Sequence, residues 1–157
     1  MQNLKEREEV IEYSKKLNIT NLSPLRSGNI SVRGFQDNVE GFFISPSGKK
    51  YEDLKPEDVV FLSLNEDKDF ISWFNSGKNP SSEWRFHQDI YKSKWEAKAI
   101  VHAHSPNATA ISTHGKSIPP FHYMIALAGG EDIKCSAYAT FGTHKLSMNI
   151  LKALENR

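Results

Sequence analysis

The stretch that most limits what this chain can fold into runs from Pro80 to Pro106, PSSEWRFHQDIYKSKWEAKAIVHAHSP. Trp84, Phe86, Ile90 and Tyr91 recur at helical spacing behind Pro80-Ser81-Ser82, so one of the serines reads as a helix cap and Glu83 as a first-turn residue. After a charged break at residues 92–98, the short apolar run Ala99-Ile100-Val101 reads as a strand that delivers His102-Ala103-His104. Residues two apart on a strand share a face, roughly 7 Å from each other. Both imidazoles can therefore converge on one ion, and zinc is an ion such ligands favour. Taken alone, the same triplet also suits two polar residues on a solvated edge. Glu83, about twenty residues upstream, adds what proton abstraction beside a carbonyl requires, a carboxylate next to a Lewis acid.

Three turns elsewhere supply small side chains and backbone amides. They are Ser27-Gly28-Asn29, Ser47-Gly48 within Ile44-Ser45-Pro46-Ser47-Gly48, and Ser81-Ser82 at the helix start. Each is ordinary turn chemistry by itself. Together they form a set of anion-binding corners, the last at the positive end of a helix dipole, and predict a phosphorylated substrate.

With 157 residues, 20 basic and 19 acidic side chains and no basic stripe interleaved with aromatics, the chain reads as one domain without a nucleic-acid surface. Cys135 is the single cysteine, so no internal disulfide forms and a reducing cytoplasm is expected. The N-terminus is too charged for a signal peptide, and no apolar run approaches the roughly 18 residues of a membrane span.

Along the chain, Leu4, Val10, Ile11, Ser14 and Leu17 fall on one side of a first helix. Strands are expected at 29–33, 41–43, 59–62, 70–74, 99–101 and 133–137. A short helix is expected near 108–111, and a closing amphipathic helix carries Leu146, Ile150, Leu151 and Leu154. The predicted fold class is α/β, a single domain with a mixed, mainly antiparallel sheet covered by helices.

Read in order, Ser27-Gly28-Asn29-Ile30-Ser31-Val32-Arg33, Ser45-Pro46-Ser47-Gly48 with Tyr51-Glu52-Asp53-Leu54, Pro80-Ser81-Ser82-Glu83-Trp84-Arg85-Phe86-His87 and Val101-His102-Ala103-His104 resemble the class II aldolase/adducin family over essentially the whole chain. The run from Ser117 to Ala126, followed by Ala128-Gly129-Gly130 and Tyr138-Ala139-Thr140-Phe141-Gly142-Thr143, is similar to members that cleave L-fuculose 1-phosphate.

The resemblance implies zinc-dependent, reversible aldol cleavage of a sugar phosphate to dihydroxyacetone phosphate and L-lactaldehyde. His102 and His104 become zinc ligands, and Glu83 becomes the acid/base that also approaches the metal. Gly28, Asn29, Ser47, Gly48, Ser81 and Ser82 hold the substrate phosphate. Tyr123 reaches the site across a subunit boundary of a homotetrameric ring, and Phe141 shapes the pocket. Such a glutamate needs a pKa lifted toward neutrality, which burial supplies. His87 reads as a buried supporting residue, and His114, His122 and His144 stand at places without a ligand role.

The family pattern carries its third histidine ligand beyond Arg157, so the chain is expected to be C-terminally incomplete, with weakened metal affinity. Two alternatives share the same motifs. One is a pentulose-phosphate 4-epimerase or thiosugar-phosphate dehydratase, the other an inactive adducin-like binding domain.

Overall fold

The computed structural model describes residues 2–65 and 77–157. The chain opens with α1 (Leu4–Ile19), followed by β1 (Asn29–Gln36) and β2 (Val39–Ile44). Single 3-10 turns at Tyr51–Asp53 and Pro56–Asp58 lead into β3 (Val60–Ser63). Then come α2 (Trp84–Ser93), β4 (Ala99–His102), α3 (Pro106–Ser112), a 3-10 segment at Tyr123–Ala128 and α4 (His144–Ala153). The four strands form one sheet in the order β3-β2-β1-β4, and all three pairings are antiparallel. This is the expected α/β architecture, and its sheet, expected to be mixed and mainly antiparallel, is antiparallel at all three pairings among the described residues.

Alternation along the strands sends side chains to two different layers. On one face, Val10, Ile11 and Leu17 of α1 pack with Ile30, Phe43, Tyr51, Leu54 and Val59. On the other, Phe42, Ile44, Leu62 and Leu64 pack with Trp84 and Tyr91. Burying each such side chain contributes about 1.5–3 kcal/mol before entropy is subtracted, so both helices are fixed firmly to the sheet. α4 rests on the outer side of α2, where Ser147 Oγ donates to Asp89 Oδ2 over 2.6 Å and Thr143 caps the helix by accepting from the Leu146 N–H.

Three expectations need correction. Leu4 is 46% exposed, unlike Val10, Ile11, Ser14 and Leu17 on the same side of α1, which are buried. α2 starts at Trp84 with Glu83 itself at the cap position, one residue later than the serine pattern predicts. Ser81 turns its Oγ to the Glu83 N–H instead of capping farther into the helix. The strand expected at 133–137 shrinks to a single bridge between Ile118 and Ile133, since the flanking residues find no partner ladder among the described residues. The strand expected at 70–74 lies outside the described residues.

Candidate active site

Two matched ladders build the centre of the site. On α2, Glu83, His87 and Tyr91 recur every four residues, about 6 Å apart along the helix axis. On β1, Asn29, Ser31 and Arg33 recur every two residues, about 6.6 Å apart. The repeats stay in step over three rungs, and the polar side chains meet pairwise beneath the helix. Asn29 Nδ2 donates to Glu83 Oε2 over 3.0 Å, Asn29 Oδ1 meets His87 Nε2 over 2.5 Å, and Ser31 Oγ lies 2.7 Å from His87 Nδ1 and 2.8 Å from Tyr91 Oη. At the third rung the Arg33 guanidinium stacks over the Tyr91 ring. It also donates to the carbonyls of Tyr91, Lys94 and Ala97, closing the C-terminal end of α2.

β4 enters beside this ladder. In the β1–β4 register Asn29 faces His102, and partners in an antiparallel pair project to the same side. His102 Nε2 therefore lies 3.2 Å from Glu83 Oε2 and 2.9 Å from His104 Nε2. The backbone beyond the strand is held by the buried Ser23, whose Oγ accepts from the His104 N–H. The two imidazoles thus share a face, as their spacing predicts.

A single Nε2 hydrogen cannot serve both the Glu83 and the His104 contact. Three lone-pair-bearing atoms in an open arc form an arrangement that a cation resolves. The separations lie close to the roughly 3.3 Å edge of a tetrahedron drawn at zinc–nitrogen distances. Among the described residues no group of three or more His, Cys, Asp or Glu side chains is placed to hold a metal ion. The two imidazoles and the neighbouring Glu83 carboxylate are donor types that zinc accepts, short of the three-ligand set in which it is usually held.

The electrostatics differ from expectation at Glu83. Its side chain is 14% exposed. Burial pushes the carboxyl up, yet the hydrogen bond and charge of His102 and the Asn29 amide outweigh burial, leaving the group below the ordinary glutamate value. An ionised carboxylate results, not one lifted toward neutrality. Burial and the neighbouring His102 hold the His104 imidazole down, which keeps a lone pair available. His87, fully enclosed, is pushed down to about 3 by burial and His102, so its ring is neutral.

The three corners converge. Gly28, Asn29, Ser47, Gly48, Ser81, Ser82 and Glu83 all line one polar recess of about 130 Å³. Pro46 bridges Pro80, Ser81 N–H donates to Ser45 O, and Ser47 N–H donates to Asn79 O, so the second and third corners are zipped together. This commits two of the amides expected to face an anion, leaving the Ser47, Ser81 and Ser82 hydroxyls and the Gly48 backbone as candidate donors at those positions. The recess also takes in Arg26 and Lys49, which sequence reasoning passed over. The available signal was a cation immediately beside two of the three corners.

Gly28 has a second duty, because a Cβ there would stand 2.4 Å from His102 O and 2.7 Å from Ser23 Oγ. Tyr123 is 81% exposed, and Phe141 68% exposed, outside this recess. The turn bearing Phe141 does reach it, since a Cβ on Gly142 would meet Ser82 O at 2.8 Å.

Fold and site together define a chain of the Class II Aldolase and Adducin N-terminal domain family, whose pattern matches residues 8–157, and the chain belongs to that family. An L-fuculose phosphate aldolase of Escherichia coli K12 is 43% identical over 149 residues, covering 95% of this chain and 65% of the relative. A 5-methylthioribulose-1-phosphate/5-deoxyribulose-1-phosphate aldolase of Rhodospirillum rubrum is 40% identical over 148 residues, covering 94% of this chain and 62% of the relative. The chain therefore spans somewhat under two thirds of the length of these relatives. A solved L-fuculose 1-phosphate aldolase superposes with a TM-score of 0.82 at 34% identity, covering 98% of this chain and 68% of that one. Among the described residues no helix is long and apolar enough to cross a membrane.

Proposed function

We propose that this chain carries the metal and phosphate half-sites of a class II aldolase that cleaves a ketose 1-phosphate into dihydroxyacetone phosphate and an aldehyde. The observation that carries the reading is that Glu83 belongs to two places at once. Its Oε2 lies 3.2 Å from His102 Nε2 in the imidazole pair, and the same residue walls the recess where the three corners meet.

His102 and His104 would hold zinc, which when bound supplies an electron sink for the charge developing on the substrate carbonyl. The recess would grip the phosphate through the Ser47, Ser81 and Ser82 hydroxyls and the Gly28 and Gly48 backbone, with Asn29 as part of its wall. Arg26 and Lys49 would supply positive charge. Binding energy from this remote group fixes the reacting carbons against Glu83. Breaking the bond between the third and fourth carbons leaves an electron pair on the third. The fourth carbon's hydroxyl loses its proton as it becomes the aldehyde carbonyl; Glu83 would take up that proton and return it to the electron pair on the third carbon, and in the synthetic direction the carboxylate removes it again. Its ionised resting state suits the synthetic direction, and substrate binding with loss of the His102 contact would raise its proton affinity for the other. Tyr123, exposed in the single chain, would serve the aldehyde end of a neighbouring subunit's site in a homotetramer, with Phe141 at the rim.

L-fuculose 1-phosphate is the first substrate to try. A 5-deoxypentulose 1-phosphate is the second, on the strength of the Rhodospirillum rubrum relative. A reductase-coupled assay for dihydroxyacetone phosphate, run with each sugar, with zinc and with a chelator, tests the reading. Zinc-dependent release with either sugar supports it. An isomer or a dehydrated product would point to an epimerase or dehydratase instead, and phosphate binding without turnover to a binding domain.

A further inference from the structure

The polar ladder between β1 and α2 does more than satisfy buried groups, because its hydrogen atoms can run in one direction only. An ionised Glu83 accepts and never donates, so Asn29 turns its NH2 toward Oε2 and its Oδ1 toward His87. That oxygen also only accepts, so the His87 hydrogen sits on Nε2. The Nδ1 of the neutral ring is then an acceptor, Ser31 gives it its hydroxyl hydrogen, and the Tyr91 hydroxyl completes the chain by donating to Ser31 Oγ. Asn29, Ser31, His87 and Tyr91 are all buried, at 4%, 0%, 0% and 1% exposure, so no water competes for any link. The geometry is over-determined from behind. Phe86 stacks on the His87 ring with centroids 4.5 Å apart, and Arg33 pins Tyr91.

We infer that His87 is a positioning residue whose Nε2–H locks the Asn29 amide in the orientation that presents NH2 to Glu83, thereby aiming the carboxylate beside His102. Without that lock the amide of Asn29 could rotate by half a turn and set an oxygen against the carboxylate. Glu83 would then lose its amide donor and would swing toward the imidazole pair. The inference rests on the reading of Glu83 as the proton carrier for its catalytic meaning, but the lock itself is a matter of hydrogen placement that needs neither substrate nor metal.

The test begins with uniformly 15N-labelled protein over its full 157 residues, free of metal, at pH 7. Long-range proton–nitrogen correlation spectra report which ring nitrogen of His87 carries hydrogen. An Nε2–H tautomer is expected. An Nδ1–H tautomer overturns the inference outright, since Asn29 would then have to give its NH2 to His87 and turn its oxygen to Glu83.

Kinetics supply the second arm. Glutamine reaches a point near Nε2 with an N–H, whereas leucine has none. His87→Gln is expected to keep kcat within about threefold of wild type, and His87→Leu to lower it by about 10- to 100-fold with KM nearly unchanged. Equal kcat in both variants, or a loss confined to KM, also overturns the inference. A wild-type chain without cleavage activity counts against the aldolase reading alone, because the tautomer is read without turnover and still decides the lock. The same spectrum needs no variant, so a failure of His87→Leu to fold leaves the decision intact.

Discussion

Asn29 and His102 are cross-strand partners at one end of the β1–β4 pair, and each sets a side-chain nitrogen against the same oxygen of Glu83, at 3.0 and 3.2 Å. The register of two strands thus places a neutral donor and an imidazole on one carboxylate. Sliding β4 by one residue would turn His102 and His104 to the α1 face and empty the site.

Substituting Glu83→Gln keeps an acceptor for Asn29 but removes the proposed proton carrier. Activity in the dihydroxyacetone phosphate assay is expected to fall by about 10²- to 10⁴-fold, while inorganic phosphate still binds the recess. In a zinc titration followed by calorimetry, His102→Ala and His104→Ala are each expected to weaken binding by about tenfold or more. Unchanged zinc affinity in both histidine variants would remove the metal from the proposed mechanism.

Gly28→Ala inserts a methyl 2.4 Å from His102 O, against backbone that cannot give way. Overpacking of this kind costs about 1–3 kcal/mol. The same push displaces His102, so the expected result in thermal unfolding and zinc titration is a joint loss of stability and metal affinity. Loss of phosphate binding alone, with stability intact, would mean that this glycine serves only the anion.

The buried His87 makes stability depend on acid. Its folded pKa of about 3 lies below the ordinary value near 6.5. Between those values the unfolded chain binds a proton that the native chain does not, so stability is complete above pH 6.5 and falls as pH is lowered toward 3. At about 1.4 kcal/mol per unit, the shift from pH 7 to 4.5 costs on the order of 2–3 kcal/mol. Urea denaturation at the two pH values should show His87→Gln losing less than wild type by roughly that amount, and parallel losses would contradict the assignment.

Arg33 has a side chain only 10% exposed and joins three carbonyls at the end of α2 to Glu40 Oε1, 2.6 Å away. Arg33→Met leaves those carbonyls without their donor and is expected to lower stability by about 1–3 kcal/mol in denaturant unfolding. A change under about 0.5 kcal/mol would show that solvent replaces the guanidinium freely.

How much of this could be read from the sequence follows from the range of the interactions involved. The spacing of His102 and His104 is a local property of a strand end, and it held. The corners were legible one at a time as turns. Their convergence depends on the bridge from Pro46 to Pro80 and on a sheet order that no single window of residues encodes. The sign of the Glu83 shift escaped for the same reason: burial could be guessed from a helix start, but the opposing His102 and Asn29 contacts come from other strands. His87 is buried, as the reading of it as a buried residue expects. Its partners went unnoticed because the pairing of Asn29-x-Ser31-x-Arg33 with Glu83-x-x-x-His87-x-x-x-Tyr91 is visible only when the periods of strand and helix are laid side by side. Tyr123 and Phe141 come from the family resemblance, and both lie exposed outside the recess.

The zipped corner has a consequence for how the molecule responds to small anions. Because residues near 28, 47 and 82 face one hollow yet come from the start of β1, the end of β2 and the start of α2, an occupant there clamps three remote pieces of chain in one stroke. Amide exchange at all three should then slow in concert on adding phosphate, since opening any one of them would expel the guest.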